Sequence, residues 1–126
     1  MTEAAPAIQR LKKRPDFLAA AKGASCSRGA VLIQARRRDD GCDEIRAGFT
    51  ATRRIGGAVV RNRAKRRLRE AARLTLPAEG RPGCDYVFIA RGGTTTRPWG
   101  RLLDDVKSAL IRLAADCAAP ADPSSS

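Results

Sequence analysis

Between Ala58 and Thr75 the residues Val60, Ala64, Leu68, Ala71 and Thr75 recur at helical spacing, and most of the positions around them are cationic. At 100° per residue these five gather within roughly 80° of arc. Lys65, Arg69, Asn62, Arg73 and Arg66 fall on the opposite side, and Arg61, Arg63 and Arg67 flank the apolar stripe. Such a helix must dock one face on another layer of the fold and leave the other in solvent. It is expected to end before Pro77, because proline disfavours helical geometry in the residue that precedes it.

The layer that receives this helix is expected to be a sheet. Val31 to Ala35 is a short apolar run that reads as a strand, and the polar turn Asp39 to Asp43 would return the chain antiparallel. Arg46 to Thr52 alternates, with Ala47, Phe49 and Ala51 on one face. Tyr86 to Ala90 is β-prone and apolar throughout, as expected of a strand covered on both faces. Two further helices are expected. A short one, Asp16 to Lys22, has Pro15 and Asp16 in its first turn. A longer one starts near Pro98 and Trp99 and carries Leu102, Val106, Leu110 and Leu113 on one stripe. The order helix, strands, helix, strand, helix gives an α+β fold with helices packed on a small, mainly antiparallel sheet. Residues 10–117 form a single domain in this reading, preceded by a flexible segment, 1–9, and followed by a disordered tail, 118–126.

Charge narrows the partner. The chain has 25 Lys and Arg against 13 Asp and Glu, a formal net charge of +12. Eight of those cations lie between Arg53 and Arg69 with no acidic residue among them. A merely solvated helix would intersperse glutamates at i,i+4 spacing, and here only Glu70 does so. Arginine dominates, and its fork donates in parallel to phosphate oxygens. Nucleic acid is therefore the leading partner, and an anionic membrane surface the weaker one. No helix-turn-helix pair surrounds the basic helix, which argues against DNA. Aromatic residues total 4%, too few for extensive base stacking, so RNA bound mainly through phosphate is expected. Gly56 and Gly57 would either bring backbone N–H groups to a phosphate at the helix start or simply turn the chain.

The chain is not expected to cut RNA by itself. It has no histidine, and its four cysteines, Cys26, Cys42, Cys84 and Cys117, form no CxxC pair, so neither a catalytic residue nor a bound metal is expected. Spacing alone leaves a disulfide open. No stretch approaches 18 consecutive apolar residues, and nothing resembles a signal peptide, so a reducing cytoplasm is the expected setting. Asp39, Asp40, Asp43 and Glu44 read as a turn of solvated acids, and Asp104-Asp105 as surface charge on the last helix.

The run Arg53-Arg54-Ile55-Gly56-Gly57-Ala58-Val59-Val60-Arg61-Asn62-Arg63-Ala64-Lys65-Arg66-Arg67-Leu68-Arg69 resembles the signature of the bacterial ribonuclease P protein component. The likeness extends to Leu11-Lys12-Lys13, Asp16-Phe17 and Asp85 to Arg91. This resemblance implies a four-stranded sheet with three helices, an extra short strand near Ser25 to Ser27, and a left-handed βαβ crossover through the basic helix. It also implies a partner, a large catalytic RNA that uses Mg²⁺ to remove the 5′ leader of precursor tRNA. By the same resemblance Arg61, Asn62, Arg63, Lys65, Arg66 and Arg69 would bind RNA, and the run of cations adds Arg53 and Arg54. Phe17 matches a position in the family's cleft for the substrate leader. The chain departs from the family pattern at Gly57, where many members have Asn, and at Ala21 and Ile33, where aromatic residues are common. A cleft with fewer rings would lean on Lys12, Lys13 and Arg53. The alternatives are a non-enzymatic RNA-binding protein of ribosomal or chaperone type, and a protein-only nuclease using Asp104 or Asp105.

Overall fold

The computed structural model describes residues 8–38 and 41–118. Five strands and three helices follow in the order β1 (Ile8–Arg10), α1 (Arg14–Ala21), β2 (Ala24–Arg28), β3 (Val31–Arg37), β4 (Ile45–Thr50), α2 (Ala58–Glu79), β5 (Cys84–Ala90) and α3 (Trp99–Ala118). A single 3₁₀ turn, Arg53–Ile55, joins β4 to α2. The strands form one sheet in the order β1-β4-β5-β3-β2. Pairs β2/β3 and β3/β5 are antiparallel, while β1/β4 and β4/β5 are parallel. The α+β class with three helices holds, but the sheet has five strands instead of four and is mixed instead of mainly antiparallel. Parallel β4 and β5 are joined through α2, which is the βαβ unit expected around the basic helix.

The added strand is β1, placed in what the sequence suggests is a flexible lead-in. All three of its residues are exposed, so no apolar alternation announces it. It is held by backbone pairing to Ile45–Ala47 of β4. At the other end α3 runs through Ala118. The rest of segments 1–9 and 118–126, like Asp39 and Asp40 of the expected polar turn, lies outside the described residues.

β5 lies at the centre of the sheet and separates two unequal apolar layers. Its residues alternate in direction, as any strand's must. Cys84, Tyr86, Phe88 and Ala90 join the larger core with Leu68 and Leu76 of α2 and Leu102, Val106, Leu110 and Leu113 of α3. Val87 and Ile89 face the other way, into a small cluster with Leu11, Phe17 and Ala20. Thus α2 and α3 cover one face of the sheet and α1 covers the other.

Three expectations need correction. The basic helix continues through Pro77 to Glu79. Only three helical residues lie from Pro77 onward, so the missing N–H costs one bond in a terminal turn, and Gly80 N–H closes the helix on the Leu76 carbonyl at 2.8 Å. Val60 is 36% exposed and does not reach the core, whereas Ala72 and Leu76 do. Asp105 is not surface charge. It is buried, pairs with Arg97 at 2.8 Å and accepts the Ala30 N–H at 3.1 Å, tying α3 to the β2–β3 turn. Asp104 remains exposed.

Candidate nucleic-acid interface

The reason Val60 misses the core also explains how the basic helix is displayed. No residue between Ala58 and Arg63 is buried, and the first buried residue of α2 is Ala64. The start of the helix therefore overhangs the sheet and carries Asn62 and Arg63 into solvent, while Arg61 is half-buried with its Nε enclosed. Gly56, with φ 143°, makes the bend that sets this overhang, in a backbone region that disfavours side chains. A Cβ there would also lie 2.9 Å from that of Val60. Arg53 and Arg54 lie on the preceding 3₁₀ turn, both exposed. None of Arg53, Arg54, Arg61, Arg63, Lys65, Arg66 or Arg69 forms an ion pair among the described residues, whereas Arg73 is paired with Glu70.

Not every arginine of α2 is available. Arg67 donates to the Thr94 and Arg97 carbonyls at 2.6 and 2.7 Å and lies over the Trp99 ring at 5.5 Å. It fastens the β5–α3 loop to α2 and has a structural role.

Farther along α2 the ridge meets a cavity of about 370 Å³. Its lining comes from three elements and a strand end: Arg10, Leu11 and Lys12; Phe17 of α1; Ala47, Gly48 and Phe49 of β4; Lys65 and Arg69 of α2. The opening exists because β1 stops early. Arg10 pairs with Ala47, the Leu11 N–H reaches the Ala47 carbonyl at 2.9 Å, and the outer edge of β4 from Gly48 to Thr50, away from β5, has no strand beside it among the described residues. Gly48 has an extended backbone but no room for a side chain, since a Cβ would lie 2.6 Å from the Phe17 ring. The ring therefore lies directly on the strand. Phe49 is already engaged: it stacks on Phe88 at 5.3 Å, and the Arg69 guanidinium sits 5.5 Å from its ring. Phe17, half-buried, is the one aromatic ring of this cavity without an aromatic or guanidinium partner among the described residues.

The predicted leader-binding residues are only partly brought together. Phe17 and Lys12 share the cavity with Lys65 and Arg69, two residues predicted for RNA binding. Lys13 lines a neighbouring cavity of about 390 Å³ with Gln9, Arg10, Lys12, Asp16, Glu44 and Arg46. Arg53 lines neither. Sequence reasoning missed Arg10, Gly48 and Phe49; a glycine within an alternating strand was the only signal of a close approach.

Behind α1 lies a charged row that the apolar reading of β5 did not anticipate. Asp85 is completely buried. Its register partners are Arg46 on β4 and Arg36 on β3. Arg46 donates to both Asp85 oxygens at 2.7 Å, Arg38 donates at 2.9 Å, and Arg36 approaches to 3.5 Å. Burial pushes the Asp85 pKa up, but the hydrogen bonds from Arg46 and Arg38 outweigh it and hold the group below the ordinary carboxylate range. Asp85, engaged by arginines, is not free to hold a metal. No group of three or more His, Cys, Asp or Glu side chains suited to a metal occurs among the described residues. No helix there is long and apolar enough to cross a membrane.

Known proteins share this sequence and fold. Residues 5–114 match the family profile described as Ribonuclease P. The ribonuclease P protein component of Caulobacter vibrioides is 71% identical over 109 residues, covering 86% of this chain and 73% of that one. That of Ruegeria pomeroyi is 54% identical over 112 residues, covering 87% and 90%. Among solved structures, the RNase P protein from Thermotoga maritima superposes with a TM-score of 0.68 at 28% identity, covering 82% of this chain and 96% of that one. The Staphylococcus aureus protein shares the fold, with a TM-score of 0.69 at 24% identity and coverage of 86% and 96%. A profile match over nearly all the described residues, with relatives this similar, settles the lineage: the chain belongs to the ribonuclease P protein family.

Proposed function

We propose that this subunit of the ribonucleoprotein endoribonuclease divides its RNA contacts between two adjoining surfaces. The overhanging start of α2, with Arg61, Asn62, Arg63 and Arg66 and the neighbouring Arg53 and Arg54, holds the ribonuclease P RNA. The Phe17 cavity takes the single-stranded 5′ leader of precursor tRNA, with Phe17 stacking on a base and Lys12 meeting phosphate; Lys13 extends that basic wall. Lys65 and Arg69 belong to both. The carrying observation is that these two α2 cations line the same cavity as Phe17. One helix thus spans ribozyme and substrate, and binding of the first sets the orientation of the second. Hydrolysis of the phosphodiester belongs to the RNA with its Mg²⁺; the protein supplies position and charge.

Reconstitution tests this reading. Protein added to a bacterial ribonuclease P RNA should lower the Mg²⁺ needed for cleavage of precursor tRNA, and affinity should grow with leader length. Cleavage unaffected by the protein would favour a non-enzymatic RNA-binding role. An equal gain for leaderless tRNA would remove the leader from the cavity.

A further inference from the structure

α1 carries Phe17, yet apolar packing holds that helix weakly. It has eight residues, Ala20 is its only buried one, and Leu18 is 52% exposed. The cluster beneath it comprises only Leu11, Ala20 and Val87, with Phe17 and Ile89 packed on their edge. A helix so short has little intrinsic stability, and its placement must come from tertiary contacts.

The row beneath α1 supplies them. The Asp16 carboxylate lies 3.5 Å from Arg46 Nη1 and 3.9 Å from Arg36 Nη2. Those same arginines hold Asp85, so two acids and two arginines form a continuous chain from the central strand to the helix. Asp85 is fixed by the sheet register and by Arg38, whose side chain is 3% exposed. The arginines are therefore oriented from below before α1 arrives. Asp16 is 21% exposed, and it immediately precedes Phe17.

We propose that Asp16 is a positioning residue: docked on the arginines that Asp85 orients, it fixes α1 so that the Phe17 ring lies over Gly48. Asp16 itself makes no contact with RNA in this arrangement, and Arg46 and Arg36 are spent on acids of the protein instead of on phosphates. The proposal deepens the leader-binding reading and rests on it.

A double-mutant cycle in the reconstituted holoenzyme tests it, with Asp16→Asn, Phe17→Ala and the double variant, on precursor tRNA with and without a leader. Asp16→Asn is expected to weaken binding of the leader-bearing substrate about fivefold, leaving the leaderless substrate and affinity for the ribonuclease P RNA unchanged. In the Phe17→Ala background the same change should have almost no effect, because the ring it positions is gone. Asp16→Glu, which keeps the charge, should recover part of the loss. Additive effects, or a loss shared by the leaderless substrate, would overturn the proposal. Hydrogen exchange gives a readout that needs no leader: Asp16→Asn should speed exchange at Lys22 and Gly23, whose N–H groups close α1, without changing the exchange of β5. Unchanged exchange at those amides would also overturn it. Failure of Phe17→Ala alone to affect leader binding, with faster α1 exchange in Asp16→Asn, would instead defeat the leader reading and leave the positioning intact.

Discussion

Gly48 has no Cβ, and the space a Cβ would fill is taken by the Phe17 ring. Alanine at this position would place that atom 2.6 Å from Cε1 and Cζ of the ring, and 3.2 Å from the Leu11 Cβ. Ordinary contact begins near 3.4 Å. The ring must therefore retreat by about 1 Å, which a half-buried side chain at the end of its rotamer can do without unfolding the strand. Gly48 has an extended backbone that alanine adopts readily, so stability should change little. Stacking of one base on an aromatic ring contributes about 1–3 kcal/mol. Losing half or more of that, about 1–2 kcal/mol, corresponds to roughly 5- to 30-fold weaker binding of the leader-bearing substrate. The measurement is the Kd of holoenzyme for precursor tRNA with and without its leader, alongside Kd for the ribonuclease P RNA. Only the first should change, and Gly48→Ala added to Phe17→Ala should have no further effect. A folded Gly48→Ala protein that binds the leader-bearing substrate as tightly as the parent would refute the placement of a base on Phe17.

Other outcomes follow from the same geometry. If the ridge neutralises about six phosphates, log affinity for the ribonuclease P RNA should fall with log salt at a slope of about −4 to −5, and Arg63→Ala should flatten it by about one contact in a salt titration. Arg67→Ala should behave differently: losing two carbonyl bonds and the Trp99 contact should lower stability by about 2 kcal/mol in urea melts, while RNA affinity at a temperature where the variant is folded falls far less than in Arg63→Ala. Asp85 has a depressed folded pKa, so its stabilising contribution is fully present above the ordinary carboxylate range, near pH 4, and is lost as pH falls through the lower folded value. Asp85→Asn should cost about 3 kcal/mol at pH 7, by leaving arginines without their buried partner, and should flatten the acid limb of stability against pH.

The two long helices and the central strand were legible because each carries its burial pattern in its own residues, and α1 was legible from Pro15 and Asp16 in its first turn. Leu102, Val106, Leu110 and Leu113 all reach full burial on one face of α3. Asn62 and Arg63 were legible as exposed, because nothing in the local sequence neutralises the cations there, whereas the half-burial of Arg61 was not. What was not legible depends on partners distant in the chain. β1 exists through backbone pairing with residues 37 positions later. Asp85 sits beside an apolar run, and only the sheet register brings Arg36 and Arg46 to it. Asp105 looks like surface charge until the β2–β3 turn donates to it. A cleft at Phe17 came only from the family resemblance, and its lining was not legible for the same reason, since α1, β4 and α2 meet there from three separate stretches of chain.

The uncovered edge of β4 has a further consequence, for how copies of this protein behave toward one another. An open strand edge offers unpaired backbone groups to any passing strand and is a recognised route to self-association. Here the approach is flanked by Arg10, Lys12, Lys65 and Arg69. A second copy would bring the same four cations to the same place, and the repulsion would keep the edges apart. RNA, with the opposite charge, meets no such barrier. The protection is electrostatic, so added salt weakens it over a screening length of about 10 Å at 0.1 M. The RNA-free protein should therefore be most prone to pair edge to edge in concentrated salt, where its affinity for RNA is also lowest.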